Sequence, residues 1–346
     1  MSVNFREADR AVRLWVNKKS SNKSPTKRHP NDGGKIVLLV GAGASFGAGG
    51  GMRPSPPPLG DNLCPALEKR FPETWGGLES EVSKPFVHDG FEAGMVNLLT
   101  SGYSSLCNRL LLNLAVFFAE FSFSNTDSFY HQVAKCILKS NGVGRTTVAS
   151  LNYECLFELA ARNVGLSVSC TRQGREAEDI VVLKPHGSCN FLPALNGNRF
   201  IGTQFTGTAE IGIYQGPLTV VSPREVLSYI ASGQSIPPSM SFYAPGKHTP
   251  VGAEAIASVR QEWASACAEA DAIFMVGCRP SNADKHLFQP VVDSRSQVFM
   301  VGGRDGAEFA TFSAALGTRL RYIADHCDVA TPEVLKILRD RLSRPK

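Results

Sequence analysis

The sequence contains no apolar run close to the roughly 18 residues that span a membrane, and its N-terminus lacks the apolar core of a secretory signal. We therefore expect a cytoplasmic protein that does not enter a membrane. Its nine cysteines never occur as Cys-x-x-Cys, and its seven histidines show no metal-ligand spacing. These absences argue against a structural zinc site and predict that no metal is bound.

The chain also lacks excess charge outside its first thirty residues. Residues 1–30 contain eight basic and two acidic residues, whereas the remainder contains 28 basic and 29 acidic ones. If any part of the chain contacts nucleic acid, we therefore expect it to be the basic tail, residues 1–33. The polar composition of this tail also predicts that it is flexible. Apolar residues are three or four positions apart in it, at Phe5, Ala8, Val12 and Trp15. Either a short amphipathic helix that docks on a partner or a frayed terminus fits this pattern.

What the sequence does contain is an alternation of strand and helix patterns. Apolar runs predict strands at Ile36–Val40, Thr147–Leu151, Ile180–Lys184, Leu218–Val221, Ala272–Val276, Val298–Val301 and Leu320–Ile323. Helices are predicted at Cys155–Asn163, Arg224–Ala231, Ala253–Ala270, Asp284–Val292, Ala307–Leu316 and Thr331–Leu342, the last with Thr331 as its N-cap. This alternation predicts an α/β fold, a Rossmann-like parallel sheet with helices on both faces, built from residues 34–60 and 141–346.

Residues 61–140 differ because only helix patterns occur there. One helix is predicted from an Asp61 or Asn62 cap to Phe71, and others at Tyr103–Phe123 and Asp127–Lys139, with no strand between them. We expect a helical module inserted between the first two sheet strands, where it covers the crevice. The Tyr103–Phe123 helix is apolar on nearly all sides, which is typical of a module core or of a subunit interface.

A glycine-rich turn follows the first strand, at Gly41, Ala42, Gly43, Ala44 and Ser45. Glycine lets backbone N–H groups approach a pyrophosphate, since it has no Cβ. The dinucleotide fingerprint is incomplete, however, because the third glycine, Gly47, comes one position late and a Gly- and Pro-rich stretch that cannot form a helix follows it. A nucleotide loop and a purely structural turn are both consistent with these residues.

Three later strands also end in chemically useful residues. Thr146–Glu154 supplies Asn152, Val181–Ser188 supplies His186, and Ala272–Asp284 supplies Ser281 and Asp284. The carboxyl ends of parallel strands open into a ligand crevice, so we expect these residues to lie near the glycine turn. Ser281 has a structural alternative as a helix N-cap with Asp284 at the third position.

Taken in order, these motifs resemble the SIR2 family, which binds NAD. The resemblance rests on Gly41–Ser45, on the triplet Asn152, Tyr153 and Glu154, on His186 with Gly187, and on Gly277, Ser281 and Asp284. Because the zinc module is missing and a long helical insert is present, the chain is most similar to SIR2-like NADases of bacterial anti-phage defence. Glu154 stands where that set usually has Asp, and Gly302 and Gly303 stand where a ribose-binding Asn often follows.

The resemblance implies roles for these residues. Asn152 would hold a ribose hydroxyl or a water, and His186 would act as general base. NAD, the substrate, would contact Gly41, Ala42, Gly43, Ala44, Ser45, Gly187, Gly277, Ser281 and Asp284. Glu154 would either brace Asn152 or cap the following helix.

The expected function is that of an NAD+ glycohydrolase, gated and homo-oligomeric, with a partner defence protein as one means of control. An NAD-dependent protein deacylase is the first alternative, although the missing zinc module argues against it. The second alternative is a non-enzymatic module that senses NAD or ADP-ribose. The presence of His186 argues against it, because a sensor has no need of a general base.

Overall fold

The computed structural model describes residues 12–13, 34–101, 103–173, 175–194, 204–206, 213–241, 249 and 251–343. The predicted flexible tail therefore lies outside the described residues, apart from Val12–Arg13. Those two residues form an extended strand that pairs antiparallel with Leu218–Val220. An amphipathic helix through Val12 is not formed.

Seven strands form one sheet in which every neighbouring pair is parallel. They are β1 (Ile36–Val40), β2 (Thr146–Ser150), β3 (Ser167–Ser169), β4 (Asp179–Leu183), β5 (Ala272–Val276), β6 (Gln297–Val301) and β7 (Leu320–Ala324). The spatial order is β7-β6-β5-β1-β2-β4-β3. The chain moves to one side after β1 and returns to the other side at β5, so the order reverses next to β1. Ligands of open α/β sheets bind at such a reversal, outside the carboxyl ends of the strands.

Helices cover both faces of the sheet, and further helices build the inserted module. They are α1 (Ala42–Phe46), α2 (Gly60–Arg70), α3 (Ser80–His88), α4 (Phe91–Thr100), α5 (Ser104–Ala119), α6 (Phe129–Lys139), α7 (Leu156–Asn163), α8 (Pro223–Ala231), α9 (Ala253–Glu269), α10 (Lys285–Asp293), α11 (Ala307–Leu316) and α12 (Cys327–Ser343). Strand β1 shows the two layers, because Leu38 packs into one core cluster and Leu39, with Trp263 of α9, into the other. Each such fully buried side chain contributes about 1.5–3 kcal/mol. The predicted α/β Rossmann-like fold is confirmed.

Two strand predictions need correction. The apolar run Leu218–Val221 is predicted among the parallel strands, but Leu218–Val220 pairs antiparallel with Phe191–Pro193 in a small separate sheet. Apolar patterning marks a buried strand without naming its partner. Strand β3, Ser-Val-Ser at the sheet edge, has too little apolar character to be predicted.

The inserted module differs from its prediction in four places. Helix α2 starts at Gly60 after Leu59, so neither Asp61 nor Asn62 caps it. Helices α3 and α4 were not predicted, and Phe86 and Phe91 pack on the ring of Trp75 there. Helix α5 ends at Ala119 rather than Phe123, and the strand Ser122–Phe123, which pairs antiparallel with Met52–Arg53, corrects the expectation that no strand lies between the helices.

Helix α5 belongs to the core of the module. Its residues Leu110, Leu111 and Leu114 are fully buried. Of the two interpretations of this apolar helix, module core and subunit interface, the burial of these residues confirms the module core.

Helix α12 begins at Cys327 rather than at Thr331. The Thr331 hydroxyl donates to the Cys327 carbonyl inside the helix, at 2.8 Å, instead of capping its N-terminus. Pro332 is the sixth residue of this helix and has no backbone N–H, so it gives no hydrogen bond to the Asp328 carbonyl four residues earlier. No helix in the described part of the chain has the length and hydropathy to cross a membrane.

Candidate active site

The site lies where β1 meets β5, and strand register explains why. Val40 is paired with Val276, so the glycines that follow these strands lie side by side. The amides of Gly41 and Gly43 donate to the carbonyls of Val276 and Gly277, at 3.0 and 2.9 Å. These two amides are therefore used in joining the strand ends, which corrects the expectation that they are offered to a pyrophosphate.

Packing between the two turns also requires glycine at these positions. A Cβ on Gly41 would lie 2.6 Å from the Gly277 carbonyl oxygen, and one on Gly277 would lie 1.9 Å from the Ala44 nitrogen. Gly277 has φ +65°, a conformation that few other residues adopt. The glycine pattern that predicted a nucleotide loop is thus required by the close approach of two backbone turns.

Asn152 lies beside this turn with a fixed orientation. Its Nδ2 donates to the Gly41 carbonyl at 3.1 Å and to the Ser45 hydroxyl at 2.8 Å. Both amide hydrogens are used, and Oδ1 has no partner in the described part of the chain. Asn152 can therefore offer a ligand only an acceptor.

Ser45 differs from its predicted role as a phosphate donor. Its hydroxyl donates to Glu154 Oε1 at 2.5 Å and accepts from Tyr130 at 2.7 Å. The side chain is buried, and its single proton is engaged. Ser45 therefore anchors Asn152 within the protein instead of facing a phosphate.

Glu154 performs both of its predicted structural tasks. One carboxylate oxygen accepts from the Leu156 amide at the start of α7, and the other accepts from Ser45, which in turn holds Asn152. Burial raises the pKa of Glu154, whereas Lys184 and these hydrogen bonds act to lower it.

Lys184 is a site-supporting residue that sequence reasoning missed. It is fully buried below the site, where Nζ donates to the Glu154 carbonyl at 2.6 Å and lies 3.2 Å from Glu158 Oε1. Burial acts to lower its pKa, but Glu158 together with the neighbouring Cys155 and Glu154 outweighs burial and raises the pKa, which keeps the lysine charged. A lysine inside an apolar strand pattern was the available signal.

His186 follows β4 at the same level at which Asn152 follows the neighbouring strand β2. Ala149 pairs with Leu183, and Asn152 and His186 each follow three residues later. His186 Nε2 lies 3.1 Å from Asp284 Oδ1, and both residues are buried, at 7% and 5% exposure. The buried carboxylate orients the imidazole and stabilises its protonated form.

Asp284 lines the cleft, as expected of a ligand-site residue, and is also the third residue after the Ser281 cap. Ser281 does cap the short 3₁₀ turn Asn282–Asp284, accepting from the Ala283 amide at 3.2 Å, but the Asp284 side chain faces His186. Among the described residues Ser281 lies outside the lining of the cleft.

The loop that carries His186 is braced from behind. Ser241 donates its amide to the His186 carbonyl at 2.8 Å, and Arg260 donates to Pro185 and to the Ser241 hydroxyl at 3.0 and 3.1 Å. Gly187 has φ +75°, and a Cβ there would lie 2.1 Å from the Ser239 carbonyl oxygen. Gly187 is therefore required by this packing.

These residues border two adjoining spaces. A cleft of about 1100 Å³ is lined by Gly41, Asn152, His186 and Asp284, and also by Gly302 and Gly303. A smaller cavity of about 340 Å³ lies against the inserted module, between Phe91, Phe118 and Tyr153. Asn152 lines both spaces.

Arg279 was also missed by the sequence analysis. It is exposed in the cleft wall, and within the described part of the chain it makes no ion pair. The acids that share the cleft with it, besides Asp284, are Asp61, Asp305, Asp325 and Asp328. A single arginine in a loop is a common surface feature, so only the fold shows that Arg279 is the arginine among the described residues that line this cleft.

Comparisons with known proteins give weak likenesses. No family model matches the sequence, and no curated protein matches it. Among solved structures, a SIR2 in complex with the inhibitor EX-527, 2'-O-acetyl-ADP-ribose and deacetylated p53 peptide is 11% identical, with 88% of this chain and 93% of that chain covered and a TM-score of 0.38.

Two further likenesses are of the same strength. A structure on the basis of sirtuin substrate affinity is 13% identical, with 88% and 93% covered and a TM-score of 0.40. A complex of a mutant Sir2 homologue with ADP-ribose is 13% identical, with 89% and 91% covered and a TM-score of 0.38. Similarity this low carries no conclusion about the function of this chain, which has to be inferred from its own residues.

Proposed function

We propose that this protein is an NAD+ glycohydrolase of the SIR2-like type, which cleaves the nicotinamide–ribose bond and releases nicotinamide and ADP-ribose. The observation that carries the proposal is that Asn152 and His186 line one cleft at the point where the strand order reverses. The ordered motifs that resemble the SIR2 family support the choice of NAD+ as substrate.

Cleavage of this bond expels neutral nicotinamide and leaves a ribose with oxocarbenium character at C1'. The protein must then hold the sugar and direct a water to one of its faces. Asn152 suits this task because its two amide N–H groups are bound to Gly41 and Ser45, so that Oδ1 would accept from a water or a ribose hydroxyl.

His186 would accept the proton of the attacking water. With Asp284 ionised, the ring proton is on Nε2, and Nδ1 is then the basic nitrogen of the neutral ring. The Asp284 carboxylate stabilises the imidazolium that results. The reaction then balances as NAD+ and water giving nicotinamide, ADP-ribose and one proton.

The pyrophosphate of the substrate needs positive charge or free N–H groups. Because the Gly41 and Gly43 amides are engaged, Arg279 is the better candidate for this contact. A guanidinium binds phosphate oxygens in a bidentate manner.

A gated, NAD-depleting role in anti-phage defence, with a homo-oligomer or a partner defence protein as the gate, belongs to the same proposal. It is supported by the resemblance and by one feature of the site. The inserted module provides Phe91 and Phe118 to the smaller cavity, which Asn152 shares, so a displacement of the module would reach Asn152.

The test is to incubate the purified protein with NAD+ and to separate nicotinamide and ADP-ribose by chromatography, with and without an acyl-lysine peptide. We expect hydrolysis without the peptide. His186→Ala should lose roughly 10²-fold or more of the rate, as expected for removal of a general base. His88→Ala is the matched control, since His88 is exposed at the end of α3.

Three outcomes would contradict the proposal. Turnover only with the peptide would indicate a deacylase. Tight NAD+ binding without turnover at any protein concentration would favour a sensor. A His186→Ala rate equal to that of His88→Ala would remove His186 from the mechanism.

A further inference from the structure

The segments that follow β4 and β5 bring His186 next to Asp284 and His286, which lie about a hundred residues later in the sequence. His186 Nε2 is 3.1 Å from Asp284 Oδ1, and the candidate ligand atoms of His186, Asp284 and His286 all lie within 4.8 Å of one another. The first two side chains are buried and His286 is half-buried at the start of α10. The sequence analysis predicted no metal site from the spacing of the histidines. That spacing carries no information about which strand ends come into contact.

We propose that this His186–Asp284–His286 cluster binds Zn²⁺ and that the bound ion holds the hydrolysis of NAD+ off. Two imidazole nitrogens and one carboxylate oxygen are a donor set that Zn²⁺ uses in sites with an open fourth position. Mg²⁺ and Ca²⁺ prefer oxygen donors alone and are poorer candidates.

The distances suit a tetrahedral ion after a small adjustment. Zn–N and Zn–O bonds of about 2.0–2.2 Å place neighbouring ligand atoms about 3.3 Å apart. The His186–Asp284 pair, at 3.1 Å, already has this separation. His286 has to approach by at most about 1.5 Å, which rotation of a half-buried ring provides. The cleft lined by His186 and Asp284 gives the ion a route of entry.

Binding would change the protonation of His186. Zn²⁺ takes the Nε2 lone pair, and the ring proton moves from Nε2 to Nδ1. The ring then has no lone pair left to accept a proton from water. This inhibitory consequence rests on the proposed function, whereas the binding of Zn²⁺ to the cluster does not.

Equilibrium dialysis of the chelator-treated protein against Zn²⁺ tests the site itself. We expect one Zn²⁺ per chain for wild type and for the control His88→Gln. His286→Gln should bind at least about 100-fold more weakly, because one of three ligands is lost. Circular dichroism checks that His286→Gln folds. If it does not fold, His286→Ala replaces it in the same measurement. Because nine buried thiols are also present, equal binding by His286→Gln and wild type would assign the ion elsewhere and overturn the site.

Nicotinamide release, compared in Zn²⁺ and in chelator, tests the consequence. Zn²⁺ should slow wild type and His88→Gln at least about tenfold and leave the rate of His286→Gln within about twofold of its rate in chelator. Unchanged or faster release by Zn²⁺-loaded wild type would overturn the inhibitory role. Absence of hydrolysis in chelator would instead count against the proposed function, and the dialysis result would still decide the metal site.

Discussion

Gly277→Ala is the change that best separates a packing role of the glycine pattern from a ligand-binding role. Gly277 has φ +65°, and an added Cβ would lie 1.9 Å from the Ala44 nitrogen and 2.4 Å from the Gly43 carbonyl carbon. Both neighbours are backbone atoms, so no side chain can rotate away. The two turns have to separate by about 1 Å for the contact to reach an acceptable distance.

The cost can be worked from the contacts that this separation breaks. A non-glycine residue at positive φ costs about 1–2 kcal/mol. The hydrogen bonds from Gly43 to Gly277, at 2.9 Å, and from Gly41 to Val276, at 3.0 Å, would also be lost. Each buried donor left without a partner costs about 1–3 kcal/mol. The free energy of unfolding should therefore fall by about 3–8 kcal/mol, a large part of the stability of a typical protein.

Gly233→Ala is the matched control. Gly233 follows α8 with φ +80°, and no heavy atom of the described residues lies within 4 Å of its added Cβ. This variant should lose only the positive-φ cost of about 1–2 kcal/mol. Urea-induced unfolding followed by circular dichroism gives both values on one scale.

A Gly277→Ala variant within about 1 kcal/mol of Gly233→Ala would refute this reasoning, since it would mean that the two turns accommodate a Cβ. Loss of NAD+ binding by such a stable variant would restore the interpretation that the glycines serve the ligand.

Two further predictions concern charged groups near the sheet. Lys184→Met should lower the free energy of unfolding by about 3–5 kcal/mol, because Glu158 would remain buried without a cation, and thermal unfolding would measure the loss; an unchanged Tm would contradict it. Burial acts to raise the pKa of Glu269, but hydrogen bonds from Arg172 and Lys35 outweigh it and lower the pKa overall. The stability that this carboxylate contributes is present above its unfolded pKa and is lost as pH falls through its folded pKa. Glu269→Gln should therefore be less stable than wild type at pH 7, by less than about 1 kcal/mol for this part-exposed group, and the difference should shrink as pH falls through the folded pKa of Glu269; a difference in urea midpoint that does not change with pH would contradict it.

The sequence by itself determined the sheet and most of its helices. Strands such as Ile36–Val40 and Ala272–Val276 were predicted with their observed bounds, since a fully buried parallel strand is an uninterrupted apolar run. Helices with a clear amphipathic period, including Leu156–Asn163, were also predicted to within a residue. The elements that failed, such as the polar edge strand Ser167–Ser169, are those stabilised by neighbours rather than by their own pattern.

The sequence also named Asn152 and His186 as strand-end residues, but it could not say which of their atoms are available. That was decided by contacts across the fold. Ser45, more than a hundred residues away, takes one Asn152 hydrogen, and Asp284, almost a hundred residues away, orients the His186 ring.

The glycine turn shows the same division. Local sequence identified a turn without Cβ atoms, but only the register of Val40 against Val276 brings Gly41 and Gly277 into contact and makes those glycines a packing requirement. Hydrophobic periodicity relates residues that are close in sequence, so it can be recognised from the sequence alone. Hydrogen bonds and steric contacts between strand ends depend on which strands are adjacent, and that is fixed only when the whole sheet assembles.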